Sequence, residues 1–148
     1  MLKVLRPGLF LAATLVLVGC SGTQSPALSV VGAQLKEHTD SAAVIEFAIN
    51  AENPNDEPLP LQDVEYSVSR DGKEIFSGTR SAEAVVKRFG QQQFLLPASF
   101  ATNQPDVSGE YTISGTLWYV APGALSETLF DQAIVRPTVS FSGKAAVK

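Results

Sequence analysis

The sequence predicts an all-β chain: an immunoglobulin/fibronectin III-like antiparallel β-sandwich of about seven strands. Three observations carry this. Short runs of alternating apolar and polar residues recur at even spacing along the chain. Turn signals separate them, among them Asn53-Pro54-Asn55, Asp71-Gly72 and Pro122-Gly123. Helical periodicity is almost absent, and the lone cysteine, Cys20, excludes the disulfide-braced core of an antibody domain.

The chain opens on a segment of a different kind. Lys3 and Arg6 precede an apolar run from Leu9 to Val18, broken by Thr14, and small Gly19 precedes Cys20. This is the secretory signal pattern, and it sets a leader at residues 1–19. The run falls short of the roughly 20 apolar residues that span a bilayer; an uncut membrane anchor is the competing reading. Leu17-Val18-Gly19-Cys20 resembles the bacterial lipobox, with Val18 where a small residue is usual. In that motif the cysteine sulfur receives a diacylglyceryl group and its freed amine a third acyl chain. Cys20 is therefore the expected lipid-attachment residue, and the bilayer the expected partner. Acylation also explains an odd cysteine in an exported chain. Ser21 follows, where Asp would resemble an inner-membrane retention signal, so the expected site is the outer membrane, facing the periplasm.

Without the leader, about 130 residues remain, enough for one ordinary domain. Lys3 and Arg6 go with the leader while all 15 acidic residues stay, so the balance becomes more negative than the −4 of the whole chain. No basic block suggests nucleic acid, and most of this surface repels phosphate. A monomer is expected.

Residues 20–26 read as a flexible tether, small, polar and uncharged after the cysteine, and the domain as 27–148. Leu28 to Leu35 is the first strand. Ala43 to Ala51 is the clearest, with Ala43, Ile45, Phe47, Ile49 and Ala51 on one face and Glu46 and Asn50 on the other. It runs into Asn53-Pro54-Asn55, where the proline presets φ and either Asn can bond backbone groups or accept left-handed angles. Pro58-Leu59-Pro60-Leu61 keeps the chain extended. Val64, Tyr66 and Val68 form the next inward set. Asp71-Gly72 signals a type I′ hairpin that would set Val68 opposite Ile75.

Ala82 to Val86 is either a short strand or a helical turn. Phe94, Leu96, Ala98 and Phe100 alternate again, and Pro97 marks an edge strand. Ala101 to Ser108 is a polar connection with room for a short helix. Tyr111, Ile113, Gly115, Leu117 and Tyr119 line one face of a long strand, and Trp118 falls on the other. Leu129–Val135 and Thr138–Phe141 read as the last strands, with fraying beyond them.

Together these residues resemble a family. Val30-Val31-Gly32, an apolar strand ending in Asn53-Pro54-Asn55, then Pro58-Leu59-Pro60-Leu61 and Tyr66-Ser67-Val68 before a glycine hairpin closed by Gly78 are similar to the late-embryogenesis-abundant type 2 family, also called the water stress and hypersensitive response (WHy) domain. Ser114-Gly115-Thr116-Leu117 fits as well, and the resemblance covers most of residues 27–143. It implies a fibronectin-like sandwich and a role in tolerance of dehydration or related stress, without a known catalytic step. Arg88-Phe89-Gly90 departs from the family's usual apolar-Pro-Ala-Gly before the sixth strand.

Chemistry-bearing patterns are missing. His38 is the only histidine, in a charged loop between strands, and a solvated loop residue explains it better than a general base. Asp56-Glu57 with Asp63 is too widely spaced for a calcium loop. No second imidazole or free thiol is at hand for zinc, and no glycine-rich phosphate loop occurs. No catalytic residue, cofactor or metal is expected. Two functions remain: a non-catalytic envelope lipoprotein protective under stress, or a module that binds an envelope protein or peptide through an edge strand or the Trp118 face.

Overall fold

The computed structural model describes residues 22–148. The expected leader, 1–19, and Cys20 lie outside the described residues. In order the chain forms β1 (Ala27–His38), β2 (Ala42–Glu52), β3 (Leu59–Arg70), β4 (Lys73–Ser81), the short β5 (Val85–Val86), β6 (Gln91–Ala101), β7 (Gly109–Tyr119), one helix α1 (Ser126–Asp131) and β8 (Thr138–Val147). One sheet has the order β1-β2-β6, the other β4-β3-β7-β8 with β5 against the start of β3. Every pairing is antiparallel. This is the β-sandwich that the alternation predicted.

The inward faces follow the side-chain period of two. Ala43, Ile45, Phe47, Ile49 and Ala51 of β2 are all buried, facing Val64 and Val68 of β3 and Ile113 and Leu117 of β7. Each large aliphatic or aromatic side chain so buried contributes about 1.5–3 kcal/mol. β6 ends its sheet, which allows Pro97 to lack a ladder donor. On the other flank β1 presses on β8: a Cβ on Gly143 would stand 2.6 Å from Val30 Cγ2, so only glycine allows this approach.

Four expectations change. The Asp71-Gly72 turn has positive φ at both residues, 52° and 77°, as type I′ requires. Val68 nevertheless pairs with Phe76, because Ser69 pairs with Glu74 and a bulge leaves Ile75 over. Leu129–Val135 is not a strand. Its first residues complete α1, and Ile134 and Val135 donate back to the Leu129 carbonyl. The C-terminus is paired to Val147, which is buried because it closes the core beside Gly109, where fraying was expected. Finally, Ala101–Ser108 contains no helix; after β6 it is an open connection whose Val107 plugs the core. Between the two readings of Ala82–Val86, the strand is right: Val85 and Val86 pair with Pro60 and Leu59.

The strands define two ends. The proximal end, where the chain enters the sandwich, carries residues 22–26, 53–58, 82–90 and 120–137. The distal end carries 39–41, 71–72 and 102–108. β1, at about 3.3 Å per residue, separates them by roughly 35–40 Å.

Candidate functional site

Asn53-Pro54-Asn55 is the joint of the proximal end. Asn53 is 2% exposed and the only buried polar side chain among the described residues. Its Nδ2 donates to the Glu57 carbonyl at 2.7 Å and to the Val86 and Lys87 carbonyls, each at 3.2 Å. Its Oδ1 accepts from the Asn55 backbone N–H at 3.0 Å, an Asx turn, and from Asn55 Nδ2 at 2.9 Å. Its own N–H donates to the Gly90 carbonyl. One amide thus satisfies backbone groups of two loops that would otherwise be buried unpaired. Both asparagines act by bonding; neither takes a left-handed angle.

Asn55 extends the joint to the incoming chain. Its side chain holds Gln24 by both backbone groups, accepting from the N–H at 2.9 Å and donating to the C=O at 2.9 Å. Ser25 Oγ bonds Tyr119 Oη at 3.1 Å, and Pro26 is fully buried. The segment read as a tether through Pro26 is therefore fastened from Gln24 onward. Asn55 also accepts the Phe89 N–H on its backbone carbonyl, at 3.0 Å. Phe89 lies at φ 50°, in the left-handed region, and the residue is 71% exposed. Gly22, Thr23, Gln24, Pro54, Phe89 and Pro122 line one cleft there, together with Asp56 and Glu57.

Two other surfaces bear on function. An open trough of about 730 Å³ crosses the outer face of the larger sheet, walled by the hydroxyls of Ser67, Thr79, Ser114, Thr116 and Ser140 and by Glu65. Cross-strand hydroxyl pairs, Ser67–Ser114 at 3.5 Å and Thr116–Ser140 at 3.3 Å, leave most donors and acceptors for water. Trp118, on the same face, is half-buried in a cleft shared with Phe130 and Arg136. The Arg136 guanidinium lies 5.3 Å from the Phe130 ring centre and donates to the Phe130 carbonyl, which ties the segment after α1 down. The segment after α1 thus walls one side of the tryptophan's cleft.

The distal end has its own network. Tyr111 Oη donates to the Val107 carbonyl four residues upstream at 2.6 Å, as in the tyrosine corner of immunoglobulin-like sandwiches. Arg70 stacks on that ring at 5.3 Å, reaches Tyr111 Oη at 3.2 Å and donates to the Ser108 carbonyl at 2.8 Å. His38, read as a loop residue, is instead the last residue of β1, because the ladder continues to its pairing with Ala43; its Nε2 lies 3.2 Å from the Gln104 carbonyl. Asp56, Glu57 and Asp63 do not converge as a metal site, and no such cluster occurs among the described residues. Sequence reading found the Asn-Pro-Asn turn but missed Gln24, Val86, Lys87 and Phe89, which meet it. The adjacency of Lys87-Arg88 to Phe89 was the available signal.

An all-β sandwich jointed at one end by an Asn-Pro-Asn turn whose first asparagine is buried defines a class of folded module. The chain belongs to the type 2 late embryogenesis abundant protein family, whose model matches residues 48–129, more than half of the chain. No curated protein sequence matches significantly. Among solved structures, a protein of Arabidopsis thaliana determined in solution is 15% identical with a TM-score of 0.60, over 90% of this chain and 88% of that one. An X-ray structure of a structural-genomics target, SoR45, is 10% identical at TM-score 0.58, over 86% and 90%. A solution structure described as a candidate late embryogenesis abundant protein is 16% identical at TM-score 0.57, over 82% and 71%. At such identities these likenesses bear on the fold alone.

Proposed function

We propose that this chain is a non-catalytic, lipid-anchored envelope lipoprotein of the WHy type, protective under dehydration or related stress. One observation carries the reading: residues 48–129 match the late embryogenesis abundant family, and upstream of them Leu17-Val18-Gly19-Cys20 resembles the lipobox. One acyl chain binds a bilayer reversibly, whereas two or more hold firmly, at about 0.8 kcal/mol per buried methylene. An acidic domain with a hydroxyl-walled outer face holds water well. Kept at the outer membrane on the periplasmic side, it separates surfaces and shields unfolding neighbours as water is withdrawn.

The test has two arms. Cys20→Ala should abolish membrane fractionation and leave the leader uncut at Gly19. A deletion strain should lose desiccation survival, and the Cys20→Ala gene should fail to restore it. Unchanged survival in the deletion strain overturns the protective reading; membrane retention of Cys20→Ala with processing at Gly19 overturns the anchor.

A second reading, docking of an envelope protein or peptide, is favoured by one feature. β4 and β6 each end a sheet, and Leu95 on β6 is exposed. One stoichiometric partner crosslinked from membranes, with normal drying tolerance, would select it.

A further inference from the structure

We infer that the proximal end of the sandwich faces the bilayer and that the Lys87-Arg88-Phe89 turn rests in the lipid headgroup region. This depends on the lipid-anchored reading and goes past it, naming the face and the side chains that meet lipid.

The incoming chain fixes the distance. Gln24 is clamped to Asn55, and Gly22 lines the same cleft as Phe89. Cys20 precedes Gly22 by two residues, a reach of about 7 Å when extended. A cysteine acylated there brings the bilayer surface to the Phe89 turn and leaves the distal end a strand length away.

Phe89 fits that surface. Its N–H is held by the Asn55 carbonyl in a left-handed conformation that disfavours any residue but glycine, yet its side chain is exposed. Nothing in the packing of the sandwich requires an aromatic there. A membrane interface suits it, because exposed Phe and Leu side chains of interfacial segments bury at the boundary between headgroups and acyl chains. Lys87 and Arg88 precede it, both exposed, and their ammonium and guanidinium groups reach lipid phosphates while their stems lie along the apolar layer. Asp56 and Glu57 on the cleft oppose an anionic surface, which confines the contact to this one turn. Leu125, 70% exposed, belongs to the neighbouring loop of the same end. The distal loops expose no large hydrophobic residue among those described.

The test uses the processed, acylated protein in phosphatidylethanolamine–phosphatidylglycerol vesicles, with a nitroxide on a cysteine introduced at Phe89 (Phe89→Cys) or, for the distal end, Gln104 (Gln104→Cys). Acylated Cys20 has no free thiol, so each chain takes one label. Accessibility to oxygen, which concentrates in lipid, relative to a water-soluble nickel chelate should be severalfold higher at 89 than at 104. A label at Glu57→Cys, beside an intact Phe89, should also be shielded from the chelate, and adding Phe89→Gly should remove that shielding. Equal ratios at 89 and 104 in protein that floats with the vesicles overturn the inference and leave the anchor standing. Two labels per chain, or failure to float, overturn the anchor reading and this inference with it.

Discussion

The two ends of the sandwich solve one problem with different chemistry. Each must satisfy backbone groups where strands stop and loops cross. At the proximal end a single buried amide, Asn53, gathers carbonyls from two loops and, through Asn55, the incoming chain. At the distal end a phenol and a guanidinium, Tyr111 and Arg70, do it from one side, with Arg70 half-exposed. The surfaces differ in the opposite sense. The more deeply bonded end exposes Val85, Phe89, Leu125 and Ile134, whereas the distal loops stay polar. Internal bonding and surface character are therefore set independently, and apolar exposure at the proximal end is not a sign of loose packing.

Substitutions can break this contrast. Asn53→Ala should have the largest effect, about 3 kcal/mol in urea unfolding, because it strands several buried carbonyls at once. Asn53→Asp should be no better, since a carboxylate only accepts and would face three carbonyl oxygens. Tyr111→Phe at the distal end should cost about 1–2 kcal/mol. The double variant should show the sum, as the sites share no partner; strong coupling would refute independent ends.

Alkaline titration probes the distal network with β3. Burial pushes the Tyr111 hydroxyl up, against the lowering effect of Arg70, and burial pushes Tyr66 up against Arg80. A group whose folded value exceeds its unfolded value, about 10 for tyrosine, contributes stability in full below the unfolded value. That contribution is lost as pH rises from the unfolded value through the folded one. Stability should therefore hold up to about pH 10 and fall above it, with a shallower fall in Tyr111→Phe and in Tyr66→Phe, whose hydroxyl donates to the Pro97 carbonyl in the wild type. Phe89→Gly should leave folding unharmed or raise stability by up to about 1 kcal/mol, glycine being at ease at positive φ. A clear loss would mean that the ring packs in a way the structure does not show. The smallest effect belongs to the exposed Lys144–Glu110 pair at 2.7 Å: Lys144→Met should leave the melting curve unchanged.

Local rules made much of the fold legible. Every second residue from Ala43 to Ala51 is apolar and buried, and Asp71-Gly72 demands a type I′ turn, so each could be placed from its own residues. Errors arose where a distant part of the chain decides. The bulge at Ile75 shifts the hairpin although nothing in the turn requires it. Leu129 and Phe130 looked like strand because they are apolar, but their segment leaves the sheets as a short helix beside the cleft of Trp118. The site was half legible. Asn53-Pro54-Asn55 declares a turn, yet its bonds run to Val86, Lys87 and Gln24, each about 30 residues away. Phe89 showed only as a departure from the family pattern, since exposure is a property of the folded surface.

The Gln24–Asn55 clamp also has a mechanical meaning. The chain comes in at the proximal end, and Val147 pairs with Gly109 at the distal end. Tension between those points runs along the strands, so the β1–β2 and β7–β8 ladders are loaded in shear, many bonds sharing the force at once. The clamp lies ahead of them in the line of pull. Its two bonds, at 2.9 Å each, meet the load first, and the Ser25–Tyr119 bond and buried Pro26 stand between them and β1.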